Sequence, residues 1–460
     1  MNTDFLRTHL LRFLREDQVS IDPAVLKTHA IDKWYASNAP DVVVFAESTA
    51  DVAQVLEFAQ LHRVPVTPRG AGVGYVGGCV PVQAGIALSV SRMNRILEIN
   101  VADGVAVVQP GVITGDLQDA VKRLGWYYPP DPASLRECSI GGNVATNAGG
   151  PKCLKYGVTR SYVLGLEAVL AGGEVLRAGG RTHKNKTGFD LVGLFVGSEG
   201  MLGVVTEVIL RLIPLPPARA TLSAGFGTFE EAASAVQAIF AAGFLPSALE
   251  ISDAFTLRAA RENPDAPQNV PPGDAHLLLE IDGQVEAVAS DCRSLEALLL
   301  RLNPTRLETA TTEEACERIW DIRRSFSYSL KATGLIKLNE DIVVPRGRLV
   351  DLAKFSRRLQ EQTGFAVASF GHAGDGNIHV NIMVQPEDMT AKKAEVEAAL
   401  DLLFRQVLAW DGAITGEHGI GLAKKRWIGD ALSDVNRVTH RAIKAALDPQ
   451  GILNPGKFLD

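Results

Sequence analysis

Pro68-Arg69-Gly70-Ala71-Gly72-Val73-Gly74-Tyr75-Val76-Gly77-Gly78 contains the pattern G-x-G-x-x-G, from Gly72 to Gly77, just after the strand-like Val64-Pro65-Val66-Thr67. In a dinucleotide-binding Rossmann unit this fingerprint opens a helix whose N-terminus faces the pyrophosphate. Here Gly78-Cys79-Val80-Pro81 follows instead, and then the strand-like Ile86-Ala87-Leu88-Ser89-Val90. Glu98 stands at a suitable distance for a ribose carboxylate, but without an intervening helix the agreement is fortuitous. A loop of alternating glycines can still wrap a pyrophosphate by presenting successive backbone N–H groups, with Arg69 adding charge. The plainer alternative is a tight surface Ω-loop. A second stretch, Ser139-Ile140-Gly141-Gly142-Asn143-Val144-Ala145-Thr146-Asn147-Ala148-Gly149-Gly150, reads as a loop of small side chains around two amides. Two such loops suit one long, flat cofactor held between them. Glycine at this density costs folding entropy and points to close backbone approach.

Outward from these loops the chain alternates helices and strands. Ser48-Thr49-Ala50-Asp51 is a capping signal for a helix through Val52, Val55, Leu56 and Ala59. Val105 to Val108 reads as a strand, Thr114 as the cap of a helix through Leu117 and Val121, and Gly125 as its end. After the strand Gly203 to Leu212, Ile213-Pro214-Leu215-Pro216-Pro217 reads as a linker. This places one domain over 1–216 and a second over 217–430. Within the second, a helix is expected from Phe229 to Phe240 and a strand from His276 to Ile281. A last helix from about Ser433 to Leu447 stops at Asp448-Pro449, and residues 431–460 return to complete the first domain.

Composition narrows the function classes. At 460 residues and 46% hydrophobic content the chain has material for two large cores. A formal net charge of -7 argues against nucleic acid as a partner, because phosphate neutralisation needs a clustered basic face. Lys424-Lys425-Arg426 is better read as a solvated helix start. The opening Met1 to Arg7 lacks the basic and apolar regions of an export signal, so cytoplasmic residence is expected. No apolar run approaches the ~20 residues of a spanning helix, which leaves peripheral attachment through a membrane partner open. Cys79, Cys138, Cys153, Cys292 and Cys316 are scattered, never C-x-x-C, and read as buried thiols without an iron–sulfur cluster.

Only nine His occur in the chain, and three fall in two glycine-rich segments. His372-Ala373-Gly374-Asp375-Gly376-Asn377-Ile378-His379-Val380-Asn381 holds two, and Thr415-Gly416-Glu417-His418-Gly419-Ile420-Gly421 adds a carboxylate and the third. Two neutral imidazoles and one carboxylate form a three-ligand set that leaves coordination positions open, as in a catalytic metal site. The remaining imidazole stands beside it as a candidate base.

These segments carry a resemblance. Pro68 to Gly78, Pro130-Asp131-Pro132-Ala133-Ser134, Cys138 to Gly150, Lys155 to Arg160 and Gly197-Ser198-Glu199-Gly200-Met201-Leu202-Gly203 resemble the FAD-binding domain of the vanillyl-alcohol oxidase superfamily. With His372 to Asn381, Gly416 to Gly421 and Asp448 to Lys457, the chain is similar to the FAD-linked 2-hydroxyacid dehydrogenases. That group includes the flavin subunit of bacterial glycolate oxidase and the D-lactate and D-2-hydroxyglutarate dehydrogenases. The resemblance implies an α+β fold: a two-subdomain FAD-binding domain plus a cap domain with an antiparallel sheet flanked by helices. It also implies an FAD site at Arg69, Gly70, Gly72, Gly74, Gly78, Asp131, Ser134, Gly142, Asn147, Gly149, Val204 and Asn454.

The implied reaction is oxidation of a small 2-hydroxy acid, of glycolate or D-lactate type, to the 2-oxo acid, with hydride passing from C2 to flavin N5. A divalent metal on His372, His379 and Glu417 would stabilise the developing alkoxide. Zinc suits this set best, and manganese or iron fit as well. His418 is then the general base, a role worth roughly 10² to 10⁴ in rate, or else a fourth ligand. Arg323 matches the family's carboxylate-binding arginine, with Arg324 its competitor about 100° round the helix. Asn381 shares a strand face with His379 and is placed to touch the substrate. Ser327 stands where relatives carry a hydroxyl. The run Lys337-Leu338-Asn339-Glu340-Asp341 departs from the hydroxyglutarate enzymes, which argues for a monocarboxylate over D-2-hydroxyglutarate. A metallohydrolase would leave both glycine loops without work, and a non-catalytic electron-relay subunit would need neither metal nor base. Electrons must leave through a partner such as an iron–sulfur subunit, a quinone or another carrier. Where many members of the superfamily tether FAD to a histidine in the first glycine loop, this chain has Gly72-Val73-Gly74. The flavin is therefore expected to be non-covalent: acid precipitation should release all yellow colour into the supernatant, and colour retained in the pellet would contradict it.

Overall fold

The computed structural model describes residues 3–459. These divide into two compact units. One takes in the chain up to Gly149, Val158–Leu215 and the chain from Glu417; the other takes in Gly150–Gly157 and Pro216–Gly416.

In the first unit β1 (Val19–Ser20), β2 (Val42–Phe45), β3 (Val66–Arg69) and β4 (Ile86–Ser89) form a four-stranded sheet in the order β1-β2-β4-β3. The pairs β2–β4 and β3–β4 are parallel. Val42, Val44, Ile86 and Leu88 are wholly buried, as the continuous apolar runs of a covered parallel sheet require. The helix Thr49–His62 begins as its sequence directs, with the Ser48 hydroxyl accepting from the Asp51 N–H at 3.2 Å. Val52, Val55, Leu56 and Ala59 bury its inner face against Val64 and Val66.

β5 (Ile96–Asn100), β6 (Val105–Val108) and, past a short β7 (Trp126–Tyr127), β8 (Val163–Val169), β9 (Val175–Gly179) and β10 (Val204–Arg211) follow. All but β7 form an antiparallel sheet in the order β5-β6-β10-β8-β9. Two local expectations change here. Ile213–Pro214 is β11, paired with β7, so the proline lies on a two-stranded edge where no ladder N–H is demanded of it. Thr114 does not cap its helix; its hydroxyl accepts from the Asn143 amide at 2.6 Å, a tertiary bond that outcompetes the cap.

The chain returns to this unit at Glu417, ahead of the expected 431. Leu422 and Ala423 donate their N–H groups to the Val76 carbonyl at 2.7 and 3.1 Å, tying the segment to the first glycine loop. Further on, Val66 donates to the Ile452 carbonyl at 2.8 Å and Asn454 to the Val66 carbonyl at 2.7 Å, so the tail extends the sheet beyond β3.

The second unit is a seven-stranded antiparallel sheet. Its strands are β12 (Ala218–Phe226), β13 (Ala248–Ser252), β14 (Ala275–Gly283), β15 (Arg306–Ala310), β16 (Ile336–Val343), β17 (Ala366–His372) and β18 (Asn377–Val384), in the order β15-β12-β14-β13-β17-β18-β16. The helices Ala254–Glu262 and Glu313–Ala332 cover one face, packing Leu257, Ile322, Phe326 and Leu330 on Ala368, Phe370 and Met383. Helices Phe229–Ala241, Val285–Leu300 and Leu349–Thr363 also lie against the sheet. Residues 150–157 belong here because Lys152 meets Glu280 at 2.5 Å, while Lys155 and Tyr156 meet the Asp282 carboxylate at 2.5 and 2.9 Å.

One buried ion pair fastens the tail of the first unit. Lys444 Nζ donates to Asp448 Oδ2 at 2.5 Å and to the carbonyls of Met201 and Leu453 at 2.8 and 2.7 Å. Asp448 accepts the N–H groups of Ile452 and Leu453 at 3.0 and 2.8 Å. Removing one partner of a buried pair leaves the other charge uncompensated. Lys444→Met is expected to cost about 3 kcal/mol by that effect, read as a lower urea midpoint, and Lys444→Met with Asp448→Leu should recover part of the loss.

Candidate functional site

The register of β17 with β18 sets the centre of the second unit. Phe370 faces His379 and His372 faces Asn377 across the ladder, so both imidazoles stand on one face, with ring centroids 5.7 Å apart. The turn between them closes over Ala373–Gly376. Gly376 has φ +85°, and a Cβ there would lie 2.0 Å from the Val344 carbonyl oxygen, so no other residue fits. One ligand atom from each of His372, His379 and Glu417 lies within 4.8 Å of the others. His372 and His379 are buried and Glu417 half-buried. Donor type, number and spacing suit a divalent cation with open positions.

The same face carries supporting groups that pattern reading missed. Glu250 on β13 pairs directly across from His372, and its Oε1 lies 2.5 Å from His372 Nδ1. Its Oε2 accepts from Arg323 Nε at 2.6 Å. Burial alone would raise this carboxyl, yet His372 and Arg323 together hold it at about 2. An ionised Glu250 accepts the Nδ1–H of His372 and so turns Nε2 into the ring nitrogen that could bind a cation, as an outer carboxylate does for a metal-binding histidine. The available signal was an acid in the middle of the buried strand Ala248-Leu249-Glu250-Ile251-Ser252.

Arg323 sits on the inner side of the helix Glu313–Ala332, with its guanidinium 4.8 Å from the Phe370 ring centre. Among the described residues no acceptor meets its two terminal nitrogens. Arg324 turns out to Asp321 and Glu317 at the surface, which decides between the two arginines. Lys337 faces the same way as His379, since Asp341 pairs with His379, Asn339 with Asn381 and Lys337 with Met383. Its ammonium donates to Ser327 Oγ at 2.9 Å. Burial first, then the charges of Lys331 and Arg323, pulls it down to about 8. Asn381 donates to the carbonyls of Ala368 and His379 at 2.8 and 3.1 Å, while its Oδ1, like that of Asn339, is buried without a hydrogen-bond partner. Two cations, one hydroxyl and two orphaned amide oxygens therefore share the face that bears the imidazoles.

In the first unit His418 stacks on Tyr75, centroids 5.4 Å apart, with its Nε2 3.9 Å from Glu417 Oε1. Its loop is held by Glu199, whose two carboxylate oxygens accept the N–H groups of Ile420 and Gly421, each at 2.8 Å. Burial raises the Glu199 carboxyl above the usual carboxylate range, and these two bonds offset only part of that.

The two glycine loops meet. A Cβ on Gly70 would come within 2.5 Å of Ser139 Oγ, and one on Gly141 within 2.6 Å of Pro110. Between the loops runs a cleft of about 250 Å³ lined by Gly70, Ala71, Ser91, Gly111, Asp116 and Ser139. The second loop is in fact a short helix, Ile140–Thr146, because the Ser139 hydroxyl accepts from Gly142 N–H at 3.3 Å and caps it. Arg69 does not add charge to the cleft. Its guanidinium donates to the carbonyls of Ile31 and Thr28 at 2.7 and 3.1 Å and packs under Gly72. Asn147 ends the helix at φ +52°, and its Oδ1 accepts from the Arg160 N–H. Val204 is core, Gly74 accepts from Lys33, and Gly149 is buried. Asn454 donates to the carbonyls of Gly78 and Glu199 at 2.9 and 2.7 Å, and its Oδ1 is buried without a partner. Asp131 and Ser134, both half-buried, lie in the stretch ahead of Cys138. None of the five cysteines forms a disulfide; Cys79 and Cys153 are half-buried rather than buried. No helix among the described residues is long and apolar enough to cross a membrane.

Two family profiles match the chain. An FAD binding domain profile matches residues 40–179, and the C-terminal domain profile of FAD linked oxidases matches residues 215–458. The chain is 40% identical to the glycolate oxidase subunit GlcD of Bacillus subtilis (strain 168), over 91% of this chain and 89% of that one. It is 33% identical to the D-lactate dehydrogenase of Anaerostipes hadrus, over 94% and 92%. Among solved structures, p-cresol methylhydroxylase with substrate bound superposes with a TM-score of 0.81 at 18% identity, covering 100% of this chain and 97% of that one. The 4-ethylphenol oxidase of Gulosibacter chungangensis gives 0.81 at 20%, covering 99% and 97%. Those two likenesses speak for the vanillyl-alcohol oxidase type of fold alone, whereas the sequence relatives and the matched profiles decide the family. The chain is an oxidoreductase and belongs to the FAD-linked oxidases.

Proposed function

We propose that this protein oxidises a small 2-hydroxy acid of glycolate or D-lactate type to the 2-oxo acid, using non-covalent FAD and a divalent cation, zinc in the first instance. The observation that carries the reading is the convergence of His372, His379 and Glu417, backed by Glu250, on a face that also presents Arg323. The names of the relatives, glycolate oxidase subunits and D-lactate dehydrogenases, support the same substrate class.

Bound FAD would accept the hydride from C2, and a cation on the His372, His379 and Glu417 set would polarise the C2 hydroxyl as a Lewis acid. Arg323 binds the substrate carboxylate through the terminal nitrogens that Glu250 does not engage. Glu250, shared between Arg323 and His372, holds both in place. Asn381 offers its unpaired Oδ1 to the substrate. His418, kept in one orientation by Tyr75 and by the Glu199 clamp on its loop, takes the hydroxyl proton. The cofactor-binding set is Gly70, Gly72, Gly74, Gly78, Asp131, Ser134, Gly142, Asn147, Gly149, Val204 and Asn454; of Arg69 only the main chain takes part. The first glycine loop and the Ile140–Thr146 helix suit this set because side chains there would close the cleft. Electrons then pass to an iron–sulfur subunit, a quinone or another carrier.

A second reading, oxidation of D-2-hydroxyglutarate, is favoured by Lys337. Its buried ammonium could meet a second carboxylate. Lys337→Met separates the two readings. A loss of kcat/KM at least tenfold larger for 2-hydroxyglutarate than for glycolate marks the dicarboxylate, and an equal loss marks both cations as serving one carboxylate. Lys337 is charged below about 8 and neutral above it, so KM should rise between pH 7 and pH 9, and Lys337→Met should flatten the rise.

The direct test is anaerobic bleaching of the flavin by glycolate, each lactate enantiomer and D-2-hydroxyglutarate, with elemental analysis of the same preparation. Bleaching by one of these at one metal per chain is expected; no bleaching in metal-replete protein would favour an electron-relay subunit. His418→Asn should slow bleaching about 10²-fold or more while keeping the metal. Loss of the metal in that variant would make His418 a ligand instead.

A further inference from the structure

We propose that Asp341 is a positioning residue that aims Glu417 at the imidazole pair. The inference rests on the metal reading above and concerns how its third ligand is delivered. Glu417 follows a segment with no regular structure, and an irregular backbone does not by itself hold a ligand to within the tolerance of about 0.5 Å that a metal site needs.

Asp341 supplies the missing constraint. It is wholly buried on β16, directly across from His379. Its Oδ1 accepts from Asn377 Nδ2 at 2.6 Å and lies 4.0 Å from His379 Nδ1. Its Oδ2 accepts from the Thr415 hydroxyl at 3.0 Å and from the Gly416 N–H at 2.9 Å. The peptide just before Glu417 is therefore fixed to the same carboxylate that stands beside His379. Asn377 completes the platform, donating also to the Ile342 carbonyl at 2.9 Å. A Cβ on Gly416 would fall 2.3 Å from Asn377 Nδ2, so the segment can lie this close only as glycine.

Two further bonds show where the constraint begins. Ala413 and Val343 exchange both N–H···O bonds at 2.9 Å, so the segment is already anchored to β16 three residues earlier. Loss of Asp341 would leave that anchor intact and loosen Thr415 and Gly416, together with the Asn377 amide, which keeps its bond to the Ile342 carbonyl. The expected defect is thus in ligand placement more than in folding. Outer partners of metal ligands typically matter 10- to 100-fold in affinity.

The test uses the full-length, FAD-loaded protein, stripped of metal and titrated with zinc against a chromogenic chelator. Asp341→Asn turns an acceptor towards the Gly416 N–H into a donor or removes it, and should weaken zinc binding 10- to 100-fold with FAD content unchanged. Thr415→Val should weaken it less. In the wild type zinc should raise the thermal midpoint, and in Asp341→Asn most of that rise should vanish; a merely structural role would lower both curves together and keep the gap. Wild-type zinc affinity in Asp341→Asn, while Glu417→Gln has lost it, overturns the proposal. Zinc absent from the wild type, or bound equally by Glu417→Gln, overturns the metal reading itself and Asp341's role with it. Should Asp341→Asn not fold, unchanged zinc affinity in Thr415→Val overturns the proposal in its place.

Discussion

The pairing of β17 with β18 is the constraint on which the second unit depends. Side chains alternate along a strand, so a slip of one residue would turn His379 and Asn381 to the opposite face and part the two imidazoles. The four-residue turn Ala373–Gly376 fixes that register, and Gly376 lets the turn pass against the Val344 carbonyl. The neighbouring strands place the other strand-borne groups of the face. Glu250 comes opposite His372 through β13, and Asp341 and Asn339 come opposite His379 and Asn381 through β16.

A sheet face this polar is expensive to bury, and its cost is met by pairing. An unpaired carboxylate in such surroundings costs several kcal/mol. Glu250 is shared by His372 and Arg323; Glu280 by Lys152, Arg219 and the Trp320 indole; Asp341 by Asn377, Thr415 and Gly416. Each carboxylate thus fixes two or more groups from different parts of the chain. Orphaned atoms cluster where the pairing stops, at the amide oxygens of Asn339 and Asn381. A buried amide left unpaired beside two cations marks space for a polar ligand.

In the first unit the corresponding constraint is close approach. Gly70 lies against Ser139 and Gly141 against Pro110, so the segments beside the cleft approach more closely than a side chain at either glycine would allow. Glu199, itself at φ +50°, holds the Ile420–Gly421 turn, and Asn454 spans the carbonyls of Gly78 and Glu199. The motif Gly197 to Gly203 and the distant tail thereby act on one another and on the loop of His418.

Much of this was legible in the order of residues. The failure of the G-x-G-x-x-G run to open a helix, the first glycine loop, the residue types that gather at His372, His379 and Glu417, and the shared face of His379 and Asn381 are local properties, set by side-chain type, spacing and strand alternation. Helix Thr49–His62 follows from its cap for the same reason. What lay outside the reach of local pattern was any partner far away in the chain. The Arg69 guanidinium goes to Ile31 and Thr28, Thr114 serves Asn143 instead of its own helix, and Arg323 rather than Arg324 faces inward on Glu250. Residues 150–157 join the second unit through Glu280 and Asp282, and the return begins at Glu417 through Val76. The sequence by itself determined which groups are available for chemistry, because that depends on residue type and near neighbours. Only the tertiary structure decided which carboxylates orient them, because Glu250, Asp341 and Glu199 act on residues 36 or more positions away, and such bonds leave no period in the chain.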